Sequence, residues 1–99
     1  MRYRLDVGTA LTDMTGGGAA AGTYTLNLCN RGEADAKIRL AVTAVGQAPT
    51  NADYLEFDAT LKPKGVLARW PFAIEAGERV YVSSSVATVS ANLIGRSEA

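Results

Sequence analysis

Asp53, Glu56 and Asp58 are the best candidates for chemistry in this chain. On an extended strand Glu56 and Asp58 share one face, where their oxygens could be offered to a hard cation such as calcium. Calcium loops are usually glycine-punctuated turns with several converging oxygens, and this segment lacks both. The expected reading is a solvated or salt-bridged edge. A two-carboxylate sugar hydrolase would also want an aromatic cleft. Histidine is absent, which removes the commonest general base, the usual partner of a serine or cysteine nucleophile and the commonest transition-metal ligand. Cys29 is the single cysteine; it can form neither an internal disulfide nor a thiolate zinc site, and is expected as a small buried thiol in a strand. The expectation is no enzyme, no metal and no cofactor.

Gly16, Gly17 and Gly18 imitate a phosphate loop only in composition. The lysine and hydroxyl that should follow are missing, and a strand follows instead of a helix. Lys37, Arg39, Lys62, Lys64 and Arg69 could form a basic patch, but ten basic and ten acidic residues cancel. A nucleic-acid binder normally shows a basic surplus and exposed stacking aromatics. Here Tyr24, Tyr54, Phe57, Trp70, Phe72 and Tyr81 mostly sit at core parity, so no nucleic-acid partner is expected.

The elements that position these residues read as strands and turns throughout. Tyr3 to Val7 alternates. Thr15 to Gly22 is a small-residue stretch that reads as a flexible loop or an arm. Thr23 to Asn30 puts Tyr24, Leu26 and Leu28 on one face, with Thr23, Thr25 and Asn27 on the other. Ala36 to Val45 points Ile38, Leu40 and Val42 inward and Lys37, Arg39 and Thr43 outward; β-branched residues favour a strand there over the rival helix. Tyr54 to Leu61, with its outward acids, reads as an edge. Val66 to Ile74 is apolar on both parities, and Pro71 marks an edge, a bulge or a crossover between sheets. Lys62 to Gly65 and Glu75 to Glu78 are turns, Gly77 being the residue expected at positive φ. Arg79 to Val86 and Ala87 to Ile94 are the closing strands, with Val89, Ala91 and Leu93 inward. About six to eight short strands without an amphipathic helix argue a sandwich or a small barrel, and an all-β, antiparallel β-sandwich, immunoglobulin-like or jelly-roll-like, is the architecture expected.

With 99 residues the chain has room for one domain. It divides on this reading into an N-terminal strand or arm with its glycine-rich loop, 1–22, and a sandwich, 23–99. No apolar run reaches membrane-helix length, so no membrane partner is expected. Met1 to Asp6 lacks the apolar core of a signal peptide, so synthesis in the cytoplasm is expected.

Three stretches, taken in order, carry a family resemblance. Leu28-Cys29-Asn30-Arg31-Gly32 ends a strand in a polar turn. Ala52-Asp53-Tyr54-Leu55-Glu56-Phe57-Asp58-Ala59-Thr60-Leu61 precedes a glycine turn. Ile74-Glu75-Ala76-Gly77-Glu78-Arg79-Val80-Tyr81-Val82 leads to a last strand ending at Gly95. Over roughly residues 23 to 95 the chain resembles small β-sandwich virion proteins of tailed bacteriophages, the decoration, fibre and tail-accessory class. The resemblance implies a structural role in the virion, made in the host cytoplasm, with major capsid or tail and fibre proteins as partners. A homo-oligomer is expected beside it, since an alanine-rich small domain gains stability from neighbours. The interface candidates are Tyr3, Leu5, Val7 and Leu11, which suit a strand added to an edge, and Trp70 and Phe72, large aromatics of the kind that anchor interfaces. The competing expectation is a carbohydrate- or receptor-binding sandwich with exposed aromatics in a cleft.

Overall fold

Period-two alternation is realised along most of the chain. The structure, a computed structural model, describes residues 2–97, and the side chains of all of these except 69–71 and 97. Eight strands are described: β1 (Arg2–Val7), β2 (Thr12–Asp13), β3 (Gly22–Asn30), β4 (Ala36–Thr43), β5 (Tyr54–Leu61), β6 (Val66–Ile74), β7 (Arg79–Ser84) and β8 (Val89–Ser97). A 3-10 turn, Asn51–Asp53, leads into β5. The strands form two four-stranded sheets, ordered β1-β8-β3-β6 and β2-β7-β4-β5, with every pair antiparallel.

β1 lies beside β8, β2 beside β7, β3 beside β6 and β4 beside β5. The chain is therefore one long antiparallel ribbon, folded at its middle and rolled so that its successive pairs fall alternately in the two sheets. That connectivity is the jelly roll, and it decides between the two sandwich types that alternation alone leaves open. The radius of gyration is 12.6 Å, as for other compact chains of about this length.

The core lies between the sheets. Tyr24, Leu26 and Leu28 of β3, Ile38 and Leu40 of β4, Val80 and Val82 of β7, and Val89, Ala91 and Leu93 of β8 are all buried there. Each large aliphatic among them contributes about 1.5–3 kcal/mol by leaving water. Residues 2–21 supply β1, β2 and the loop between β2 and β3, and Val7, Met14 and Ala19 from this span are buried in the same core. The glycine-rich loop is held by backbone bonds to the β6–β7 turn and to β7: Gly77 N to Ala19 O (2.8 Å), Ala19 N to Glu78 O (2.8 Å) and Met14 N to Val80 O (2.8 Å). Asp13 organises it from within, accepting from the backbone N–H of Thr15 (2.8 Å) and Gly17 (2.9 Å). Gly77 sits at φ +87°, the left-handed geometry its turn requires.

Three expectations are corrected. Cys29 is exposed, because the phase that buries Tyr24, Leu26 and Leu28 turns every odd residue of β3 outward. Thr43, expected outward, is fully buried although it shares the parity of Lys37 and Arg39. It pairs with Arg79, and the neighbouring Ala41 pairs with Tyr81 and Tyr54. Long side chains thus stand beside the small ones at that end of the outer face. Phe57, placed at core parity by simple alternation, is 57% exposed. The register between β4 and β5 slips twice, each time adding a residue to β5. These bulges reset which residues face inward.

Candidate functional site

The outer face of the β2-β7-β4-β5 sheet holds a cluster of hydrogen-bonded polar and charged side chains. β4 sends Lys37 and Arg39 out of this face, and its register places Ser83 of β7 beside Arg39 and Thr60 of β5 beside Lys37. Lys37 Nζ donates to Thr60 Oγ1 at 2.6 Å. The Lys37 backbone N–H donates to Ser85 Oγ at 2.9 Å, and Ser85 returns its own N–H to the Lys37 carbonyl at 3.0 Å. Ser85, just beyond β7, is thereby fixed beside β4.

Arg39 is gripped on two sides. Its Nε donates to Asp58 Oδ1 at 2.7 Å and its Nη2 to Asp58 Oδ2 at 3.3 Å, a forked carboxylate–guanidinium pair. Its Cζ stands 4.1 Å from the centroid of the Phe57 ring, a cation–π contact. Phe57 and Asp58 are consecutive, and on a regular strand they would point to opposite faces. Asp58 adopts φ +55° at the bulge, a left-handed conformation that aspartate tolerates better than most residues. The bulge turns both side chains onto Arg39. Tyr54 meets the Phe57 ring edge-on at 5.1 Å between centroids.

Between this pair and the serines of β7 lies a hollow of about 160 Å³, bounded by Thr9, Lys37, Arg39, Asp58, Ser83 and Ser85. Ser83 is buried. The Arg39 hydrogen bond holds the Asp58 carboxyl below its usual range, outweighing partial desolvation, and the same bond raises Arg39. Asp58 is thus an ionised acceptor at neutral pH. The serine hydroxyls have no imidazole to activate them, since the chain contains no histidine. The arrangement is suited to holding and orienting a polar group through fixed donors and acceptors.

The acidic set is not brought together. Asp53 is used locally, its Oδ2 accepting from the Thr50 N–H (2.8 Å) and Thr50 Oγ1 (3.0 Å) to cap the 3-10 turn. Asp58 belongs to Arg39, and among the described residues no three potential metal ligands converge. Of the sequence-named interface residues, Val7 is buried, Tyr3, Leu5 and Phe72 are half-buried against the core, and Leu11 is half-buried in the β1–β2 connection. The side chain of Trp70 lies outside the described residues. Among the described residues the exposed large apolar side chains are instead Val45 (62%), Leu55 (38%), Phe57 (57%), Val66 (64%) and Ile94 (39%).

Sequence reasoning weighed Lys37, Arg39 and Asp58 separately and missed Phe57, Thr60, Ser83 and Ser85 as their neighbours. The run of three serines at and just past the end of β7 was a visible signal, because hydroxyls interrupt an otherwise apolar alternation there. No known protein family, curated protein or solved structure matches this chain.

Proposed function

We propose that this chain is a non-enzymatic structural protein of a tailed-phage virion, present in many copies and acting through protein–protein contacts on the capsid surface or at the tail and fibre. The observation that carries the reading is the exposure of Leu55 and Phe57 on β5, an edge strand. Edge strands are usually blunted by charge or irregularity, and β5 has two bulges that discourage strand addition. Yet it keeps two large apolar side chains in water. Such side chains are suited to face-on docking against a neighbour. The jelly roll adds support by analogy, since capsid and lectin domains share this architecture. The partners are major capsid or tail and fibre proteins and further copies of the chain. Mass spectrometry of purified particles is expected to find the protein in many copies, and its absence from particles ends the reading. Sedimentation of the isolated chain is expected to show self-association that weakens in Phe57→Ser.

A second reading is favoured by one separate observation, the polar hollow beside the exposed Phe57 ring. On that reading the domain is a carbohydrate- or receptor-binding module. A glycan array would show selective binding, and silence across the array would remove it.

A further inference from the structure

We propose that the hollow on the outer face of β4, β5 and β7 is a subsite for a carboxylated sugar, a hexuronic acid unit of a polysaccharide. The inference deepens the carbohydrate-binding reading and leaves the particle role to stand or fall by itself.

Charge comes first. Lys37 and Arg39 contribute two positive charges and Asp58 one negative, so the hollow carries a net single positive charge. A neutral ligand leaves that charge uncompensated. A bare anion leaves a different fault, because it meets the Asp58 carboxylate with lone pairs facing lone pairs. A ligand bearing both a carboxylate and hydroxyl donors satisfies the two ends together.

The hydrogen-bonding capacity matches. Lys37 Nζ has three protons and uses one on Thr60. Arg39 commits Nε and one Nη2 proton to Asp58, and its Nη1 takes part in neither bond. Ser85 Oγ accepts from the Lys37 N–H and retains its own proton to donate. Lysine, arginine and serine side chains with donors to spare therefore line the same hollow. Each Asp58 oxygen takes one bond from Arg39 and has a further lone pair for a ring hydroxyl.

Geometry favours binding without rearrangement. Arg39 is fixed by a forked ion pair and an aromatic ring, so little freedom remains to be lost when a ligand arrives. The hollow of about 160 Å³ has the volume of roughly five waters. That admits a carboxylate and the adjoining edge of one ring.

The test is an amide-resolved NMR titration of the isotope-labelled chain with methyl glucuronide, methyl glucoside and acetate. Saturating shifts centred on residues 37, 39, 58, 83 and 85 are expected with the glucuronide alone. Lys37→Gln, whose unperturbed spectrum elsewhere certifies its fold, is expected to weaken binding about tenfold, as losing one charge-assisted hydrogen bond does. Ser85→Ala is expected to weaken it less. If the glucoside binds as tightly, the carbohydrate reading survives and the acidic-sugar inference is overturned. Equal binding of acetate overturns the sugar part, and shifts from none of the three overturn the inference, leaving the carbohydrate reading to the glycan array. Unchanged affinity in Lys37→Gln places the ligand elsewhere and removes the site.

Discussion

Asn30 is fully buried at the end of β3, and its amide is used on both sides. Nδ2 donates to the carbonyls of Ala34 (2.8 Å) and Leu61 (3.2 Å), while Oδ1 accepts from Gly32 N (3.0 Å) and Thr88 Oγ1 (2.9 Å). One side chain ties the β3–β4 connection to the end of β5 and to the β7–β8 turn. Asn30→Ala orphans several of these groups and is expected to cost about 2–4 kcal/mol. Asn30→Asp is expected to cost at least as much, because a carboxylate would face two carbonyl oxygens; urea denaturation measures both. Thr43 is the opposite case, a buried hydroxyl with no hydrogen-bond partner. Thr43→Val keeps the shape and is expected to leave stability unchanged or raise it by about 1 kcal/mol. Tyr24 packs its ring over Gly95, its cross-strand partner, where an added Cβ would stand 2.3 Å from the ring. Burial, with the neighbouring Tyr3 as a lesser cause, pushes the Tyr24 phenol up to about 12 from 10.0. Its folded value lies above its unfolded one, so the stability linked to the neutral phenol is complete below pH 10 and is lost as the pH rises toward 12. Tyr24→Phe forfeits the bond to the Ala20 carbonyl but is expected to show a shallower fall of urea midpoint across that window.

At the scale of elements, β5 shows what alternation can and cannot reveal. The inward residues of β3, β4 and β8 were legible because unbroken strands obey a period of two. β5 was legible as an edge but not as a surface. Its bulges depend on how it pairs with β4, a long-range fact that no local window contains. The site inherits that limit: Lys37, Arg39 and Asp58 stood out as charges, while Phe57 was misplaced by the very slip that assembles it with them. Pro71 did announce an irregularity, and the β3–β6 register jumps from Phe72 to Arg69 across it. Asp58→Asn keeps a residue that tolerates the left-handed backbone while discharging the pair. It is expected to change stability little, because both side chains are substantially exposed and water screens the pair. Asp58→Val forces a β-branched residue into φ +55° and is expected to cost about 1–3 kcal/mol more. Comparing the two variants by thermal unfolding separates the backbone's share from the charge's.

For the molecule as a whole, class and core were readable from pattern, while the path of the chain was not, since an immunoglobulin-like and a jelly-roll order use the same kind of strands. Residues 2–22 illustrate the gap: glycines and alanines looked unable to hold themselves in place, and turns from elsewhere in the chain hold them. Deleting residues 1–22 strips β1 and β2 from the sheets and uncovers core strands. The lost burial of residues such as Val7 and Met14, about 1.5–3 kcal/mol each, is large against a usual domain stability of about 5–15 kcal/mol. The truncated chain is expected to show no cooperative thermal transition; a sharp melt would overturn this. The rolled ribbon has a further consequence, in time. Among the described strands only β4 and β5 are neighbours both along the chain and within a sheet. Every other pair must close a long loop before contacts repay its entropy, which makes folding slow, on the order of milliseconds to seconds. In stopped-flow refolding, substitutions that weaken the β4–β5 pair are expected to slow folding. Those in β1 and β8, the last pair to zip, should chiefly hasten unfolding. A newly made chain would thus linger with its outer strands unpaired, and the bulges on β5 would already be in place to keep that early hairpin from adding a stranger's strand.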